Sequence, residues 1–163
     1  MAETRFGIIG TGRISDWVLK GAVLDPRFKA AAVCSRTQEK GEAFANAHGI
    51  GKVYTDVVKM AEDPGIDAIY IGTPNDTHRD LAIKCLESGK HVLCEKPLAS
   101  NAKEAREMAA AAKADGVMLM EAMISTLNPN FRARRRCWPA SGLPATTSPH
   151  SASTPRNTTF SNG

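Results

Sequence analysis

Phe6-Gly7-Ile8-Ile9-Gly10-Thr11-Gly12-Arg13-Ile14-Ser15 is an apolar run that meets two glycines and passes directly into a helical pattern. The apolar run reads as a strand. Beyond it Ile14, Trp17, Val18, Gly21 and Ala22 recur at helical spacing as one buried stripe, until Pro26 stops the helix. Strand, glycine turn and helix in that order open a βαβ unit. Glycine at position 10 permits the tight turn, and glycine at position 12 lets a pyrophosphate come up to the backbone. The helix start at Arg13 and Ile14 offers that anion free N–H groups and the positive end of the helix dipole. Ser15 stands where the dinucleotide fingerprint carries a third glycine, and its small side chain still lets helix and strand pack closely.

Downstream of this turn, apolar runs and helical patterns alternate as far as Met123. Strands are expected near 5–10, 28–35, 51–54, 67–72, 90–95 and 117–121, and helices near 13–24, 37–48 and 56–62. Gly49 gives the second helix its stop, and Pro64 follows the third. A fourth helix opens at Asn75-Asp76-Thr77, buries Leu81, Ala82, Cys85 and Leu86, and stops at Gly89. A fifth opens at Ser100-Asn101 with Glu104 placed for a capping box, buries Ala105, Met108, Ala109 and Ala112, and stops at Gly116. The alternation predicts an α/β fold, a doubly wound parallel sheet of about six strands with helices on both faces.

The formal net charge of +4 is unevenly spread. Residues 1–131 hold 16 Lys and Arg against 17 Asp and Glu, whereas residues 132–163 hold five Arg and no acid. A near-neutral body lacks the clustered basic footprint of a phosphate-backbone reader, so no nucleic-acid partner is expected. No apolar run reaches the roughly 20 residues that span a bilayer, and no membrane association is expected. Met1 to Arg5 carries no signal-peptide pattern, which makes the cytoplasm the default location. Cys34, Cys85, Cys94 and Cys137 show neither C-x-x-C spacing nor the density of a disulfide scaffold. No metal is expected, and the first three cysteines read as core.

In a dinucleotide fold the second strand ends beside the adenosine ribose, about 20 residues past the turn, where an NAD-preferring site carries an acid. Here Ala30-Ala31-Ala32-Val33-Cys34 runs into Ser35-Arg36. A hydroxyl and a guanidinium suit a 2′-phosphate, with Arg36 also able to lie over the adenine. NADP(H) is therefore favoured, with NAD(H) as the alternative. The fourth strand exits through Gly72-Thr73-Pro74-Asn75 to His78. Ligands of open α/β sheets bind outside the carboxyl ends of the strands, so Thr73, Pro74 and Asn75 should border the cofactor. His78 has two readings: part of that border, or a histidine packed on the apolar face ahead of Leu81 and Ala82. The fifth run, His91-Val92-Leu93-Cys94, leaves through Glu95-Lys96-Pro97. Pro97 removes a ladder donor and ends the strand, which puts the Lys96 ammonium at the same sheet edge as a candidate proton donor.

Four segments, Gly7-Ile8-Ile9-Gly10-Thr11-Gly12-Arg13-Ile14, Thr73-Pro74-Asn75 with His78, Glu95-Lys96-Pro97-Leu98-Ala99 and Glu121-Ala122-Met123, carry a family resemblance. In order and spacing they closely resemble the N-terminal half of the glucose–fructose oxidoreductase and inositol dehydrogenase family (Gfo/Idh/MocA), over residues 5–131. The resemblance implies a Rossmann domain followed by a mostly antiparallel α/β domain that shapes the substrate site and often mediates oligomerisation. It also implies hydride transfer between nicotinamide and a hydroxyl or carbonyl carbon of a sugar, polyol or diol. Carried over by position, Lys96 resembles the family's active-site lysine, and Glu95 the residue near the nicotinamide ribose. Thr73, Pro74 and Asn75 resemble the loop beneath the cofactor, and His78 belongs to the same motif. The chemistry agrees, because a carbonyl accepting hydride develops negative charge that an ammonium stabilises.

The match ends within a few residues of Phe131. Residues 1–124 read as the dinucleotide-binding domain, 125–131 as the start of a connecting helix, and 132–163, rich in Ser, Thr, Pro and Ala, as a disordered tail. The family's second domain supplies a histidine and an aspartate that have no counterpart here, so that domain reads as absent and the chain as a truncated form. With the codons read one base earlier, Gly142 to Ser148 can encode Gly-Pro-Ala-Arg-His-Tyr-Phe, which resembles the opening of the second domain. A frameshift is the resulting expectation, and the downstream nucleotide sequence decides it. Such a chain is expected to bind NADP(H) with little or no turnover, and oligomerisation loses its basis without the second domain. The alternative is a stand-alone NADP(H)-binding module without catalytic activity.

Overall fold

The computed structural model describes residues 3–123, so the expectations for 125–131 and for the tail at 132–163 lie outside the described residues. Six strands are present: β1 (Thr4–Ile9), β2 (Phe28–Cys34), β3 (Lys52–Tyr54), β4 (Ala68–Ile71), β5 (His91–Glu95) and β6 (Leu119–Ala122). All neighbours pair in parallel, in the order β3-β2-β1-β4-β5-β6. Between them run α1 (Arg13–Ala22), α2 (Gln38–His48), α3 (Val57–Ala61), α4 (His78–Glu87) and α5 (Ala102–Ala114), with a 3-10 turn at Asn75–Thr77 leading into α4. This is the expected doubly wound α/β fold. The strand order reverses at β1, which puts the topological switch point at the carboxyl ends of β1 and β4.

Side chains alternate between two apolar layers, as a sheet covered on both faces requires. Ile8, Val33 and Tyr70 enter one layer with Leu19 of α1 and Phe44 and Ala45 of α2. Ile9, Cys34, Ile71 and Cys94 enter the other, against Met60 of α3, Ala82, Cys85 and Leu86 of α4, and Met108 and Ala112 of α5. The three cysteines are buried and unpaired, as expected. Burial pushes the Cys85 and Cys94 thiols up to about 12, so neither forms a thiolate near neutral pH.

Short polar signals start the helices. Thr37 and Asp56 cap α2 and α3 with their side-chain oxygens. Asn101 Oδ1 accepts from the N–H groups of Lys103 and Glu104, while Glu104 accepts in return from the Ser100 N–H and the Asn101 amide. The expected box thus forms, with its return arm one residue earlier than the usual pattern.

Two expected stripes need correction. In α1, Trp17 is 63% exposed and Gly21 is also outside, whereas Ser15 and Leu19 face the sheet. The glycine turn fixes how α1 starts, and it rotates the helix so that its small serine meets the β4 exit. In α5, Ala109 is exposed and Met108 and Ala112 carry the contact. A run of alanines offers no amphipathic contrast from which to choose a face. Among the described residues no helix is long and apolar enough to cross a membrane, and no group of side chains is arranged to hold a metal ion.

In the loop before β4, Asp63 accepts from Lys52 Nζ at 2.6 Å, the Tyr54 hydroxyl at 2.8 Å and the Gly65 N–H at 2.7 Å. These bonds, that of Lys52 foremost, hold the Asp63 carboxyl well below the usual carboxylate range. A depressed folded-state value gives stability that is complete above the unfolded-state value of about 4 and is lost as the pH falls toward the folded-state value. Asp63→Asn is expected to lower stability by about 1–3 kcal/mol at neutral pH. In denaturant unfolding that deficit should shrink steadily below about pH 4. A deficit independent of pH would contradict this role.

Candidate functional site

At the carboxyl ends of β1, β2 and β4 lies a cavity of about 920 Å³. Its wall combines Gly10, Thr11, Gly12 and Arg13 from the turn, Ser35 and Arg36 after β2, and Gly72 and Thr73 after β4. Three segments distant in sequence are thus brought to one crevice at the topological switch point, the usual ligand position in such sheets.

The turn is built without side chains where backbone must meet backbone. Gly10 has φ of 100°, and a Cβ there would lie 2.6 Å from the Gly72 carbonyl oxygen. Gly12, the N-cap of α1, supplies no capping side chain, and a Cβ on it would meet nothing within 4 Å. The first is a packing glycine and the second keeps open the space before the helix N-terminus. That cradle fits a pyrophosphate, because the uncapped N–H groups and the dipole both face it. Ser15, in the place of a third glycine, is fully buried and would be 2.5 Å from a Cβ on Gly72. The close approach that a third glycine usually allows is taken up by Gly72 instead.

At the ribose end Ser35 is buried, and its N–H donates to the Tyr54 carbonyl at 3.0 Å, which fixes the bend after β2. Arg36 is exposed at the rim. Lys40, in the first turn of α2, lines the same cavity and was not singled out from the sequence. The signal was present: it lies one turn past Arg36, at the start of a helix whose dipole favours anions. Asp16 is the acid in this wall. Its carboxylate accepts from Lys20 at 2.7 Å and lies 3.2 Å from His48 Nε2. These neighbours, Lys20 foremost, hold it below the usual range. Arg13 stands with its guanidinium 5.6 Å over the exposed Trp17 ring, which steadies a cation beside the turn.

The other expected residues, Ile14, Pro74, Asn75, His78, Glu95 and Lys96, do not line this cavity. Pro74 and Asn75 are exposed on the loop beyond Thr73. Glu95, expected beside the nicotinamide ribose, is turned inward and 5% exposed. Its Oε1 accepts from the Tyr70 hydroxyl at 2.9 Å and its Oε2 from the Lys96 N–H at 3.2 Å. Burial, and then that bond to Glu95, push the Tyr70 phenol well up, so it remains a donor. His78 is fully buried, its Nδ1 3.0 Å from the Pro97 carbonyl oxygen and its Nε2 3.0 Å from that of Thr73. Glu121, known only as part of a motif, accepts from the Leu98 N–H at 2.9 Å. Lys96 precedes a cis bond to Pro97 and is exposed. Its ammonium makes no ion pair among the described residues, so a positive head stands available at the sheet edge.

A parallel sheet, a glycine turn opening a helix and an anion-ready crevice define a dinucleotide-binding domain of the Rossmann type. The model of the oxidoreductase family with an NAD-binding Rossmann fold (GFO_IDH_MocA) matches residues 4–123, and the chain belongs to that family. Over 132 residues it is 46% identical to the scyllo-inositol 2-dehydrogenase (NADP(+)) of Bacillus subtilis, covering 81% of this chain and 40% of that protein. Over 134 residues it is 44% identical to the trans-1,2-dihydrobenzene-1,2-diol dehydrogenase of Xenopus laevis, covering 81% and 41%. Among solved structures it superposes on KijD10, a 3-ketoreductase of Actinomadura kijaniata in complex with NADP and TDP-benzene. There the TM-score is 0.77 and the identity 29%, with 82% of this chain and 41% of that one covered. The chain therefore spans about 40% of the length of the relatives it matches. The fold and family expected from the four motifs are borne out.

The two turn glycines should separate on substitution. Gly10→Ala meets backbone at positive φ and is expected to cost about 1–3 kcal/mol of stability. Gly12→Ala meets nothing, so its stability should stay within about 0.5 kcal/mol of the wild type while dinucleotide affinity falls. Thermal denaturation and ligand titration check the pair. Equal destabilisation by both would contradict the division of roles.

Proposed function

We propose that residues 1–124 are the cofactor domain of an NADP(H)-dependent oxidoreductase that moves hydride at a hydroxyl or carbonyl carbon of a sugar, polyol or diol. The observation that carries this reading is the single cavity in which the anion-binding turn at Gly10 to Arg13 meets Ser35, Arg36 and Lys40. The NADP(+) in the name of the Bacillus relative and the NADP in the KijD10 complex support the cofactor. The polyol and diol substrates in the relatives' names support the substrate class.

The pyrophosphate is held by the turn and the N-terminus of α1, with Arg13 beside it. The 2′-phosphate is held by the Ser35 hydroxyl, the Arg36 guanidinium and the Lys40 ammonium. Thr73, Pro74 and Asn75 form the floor toward the nicotinamide. The bound cofactor supplies or accepts the hydride. Lys96 donates a hydrogen bond to the reacting oxygen and stabilises its developing charge. Glu95 contributes from behind, by holding the lysine's own backbone.

Fluorescence titration with NADPH and NADH tests the cofactor assignment. Tighter binding of NADPH is expected, and Arg36→Ala or Lys40→Ala should weaken NADPH by roughly ten- to a hundredfold, the worth of one charge-assisted hydrogen bond, with little effect on NADH. Equal affinities for both cofactors, or wild-type NADPH affinity in Arg36→Ala, would sink the assignment. In a longer form carrying the second domain that the family resemblance implies, Lys96→Ala is expected to lower kcat by about a hundredfold or more. Wild-type turnover in that variant would rule out the role given to Lys96.

A further inference from the structure

Two strand exits carry the residues assigned to the nicotinamide side, and one buried ring touches both. The His78 imidazole lies between the Thr73 carbonyl and the Pro97 carbonyl, 3.0 Å from each. A neutral imidazole carries one N–H and an imidazolium two, so the ring donates to at least one of these oxygens. Among the described residues no other side chain has polar atoms within hydrogen-bonding distance of both loops. The rest of the lysine turn is pinned separately. Glu95, itself held by Tyr70, accepts from the Lys96 N–H, and Glu121 of β6 accepts from the Leu98 N–H. The Pro97 carbonyl, between those two fixed points, is where the lysine turn is tied to the loop after β4.

The sequence left His78 between a place on the cofactor border and a place in the core. Its geometry differs from both. It is fully buried, so it does not reach the cavity, yet both ring nitrogens face backbone carbonyls rather than apolar neighbours. Buried polar groups paired in this way fix one arrangement of the chain.

We propose that His78 is a positioning residue that couples the Thr73 loop to the Lys96 turn, so that a nicotinamide seated against the first sets the place of the ammonium on the second. The inference rests on the NADP(H) reading above and adds how the two loops act as one. A ligand confined to the adenosine end, such as 2′,5′-ADP, does not engage the tie. Whole NADPH does.

Wild-type protein with isotope-labelled histidine is titrated with each ligand and followed by NMR. NADPH is expected to shift the His78 ring-nitrogen resonances, and 2′,5′-ADP to leave them in place. Resonances unmoved at saturating NADPH would overturn the proposal. In parallel, His78→Phe keeps a planar ring without its nitrogens. It should bind 2′,5′-ADP as the wild type does and NADPH roughly tenfold more weakly, the worth of about one buried hydrogen bond. Equal weakening of both ligands would mark a general loosening of the fold, and unchanged NADPH affinity a contact without consequence. Either result overturns the coupling. If His78→Phe does not fold, the wild-type resonances decide alone. Wild-type protein that binds no NADPH would instead remove the cofactor reading itself, and the coupling with it.

Discussion

A Cβ on Gly10 would lie 2.6 Å from the Gly72 carbonyl oxygen, and one on Gly72 would lie 2.5 Å from Ser15 Oγ. The exits of β1 and β4 and the first turn of α1 therefore meet with no side chain of ordinary size between them. That contact sets where α1 begins, and so where its uncapped N–H groups and positive dipole end point. It also sets where the loop after β4 leaves the sheet, and through His78 where the turn after β5 lies. Among the described residues Ser15 Oγ has no hydrogen-bond partner, and a buried hydroxyl left so costs about 1–3 kcal/mol. A local cost is carried at the point from which the crevice is shaped, as strained or unpaired groups at binding sites generally are.

Charge follows the same geometry. Residues 1–131 are close to neutral, yet the cavity wall carries Arg13, Arg36 and Lys40. Asp16 in that wall is matched by Lys20 and His48. A crevice with cations at its rim, a helix N-terminus at its floor and its acid already paired presents a positive field to a polyphosphate without making the whole surface basic.

Much of this was legible in the sequence because the controlling signals are local. A glycine turn between an apolar run and a helix, alternating apolar runs, and the caps at Thr37, Asp56 and Asn101 each act within a few residues, and the sheet follows from them. Where one face had to be chosen, the sequence misled. Trp17 looked buried because apolar residues recur at helical spacing in α1, but the turn at Gly10 rotates the helix and buries Ser15 and Leu19. Glu95 was expected beside the cofactor and His78 either there or in the apolar packing, and both reach inward to groups far along the chain, Tyr70 in one case and Pro97 in the other. Such partners are fixed by topology, 25 and 19 residues away, and no periodicity encodes them. Lys40 was missed for the opposite reason, since an exposed lysine early in a helix resembles any other until the cavity shows what it faces.

In the proposed NADP(H) site, one cavity holds the pyrophosphate on the glycine turn and the 2′-phosphate on Ser35, Arg36 and Lys40. Crystals grown with NADP+ test it directly. The expected density places the pyrophosphate against the N–H groups at the start of α1, the 2′-phosphate within hydrogen-bonding distance of Arg36, and the nicotinamide between Thr73 and the Lys96 turn. A cofactor bound elsewhere, or one whose 2′-phosphate points away from Arg36 and Lys40 into solvent, would contradict it.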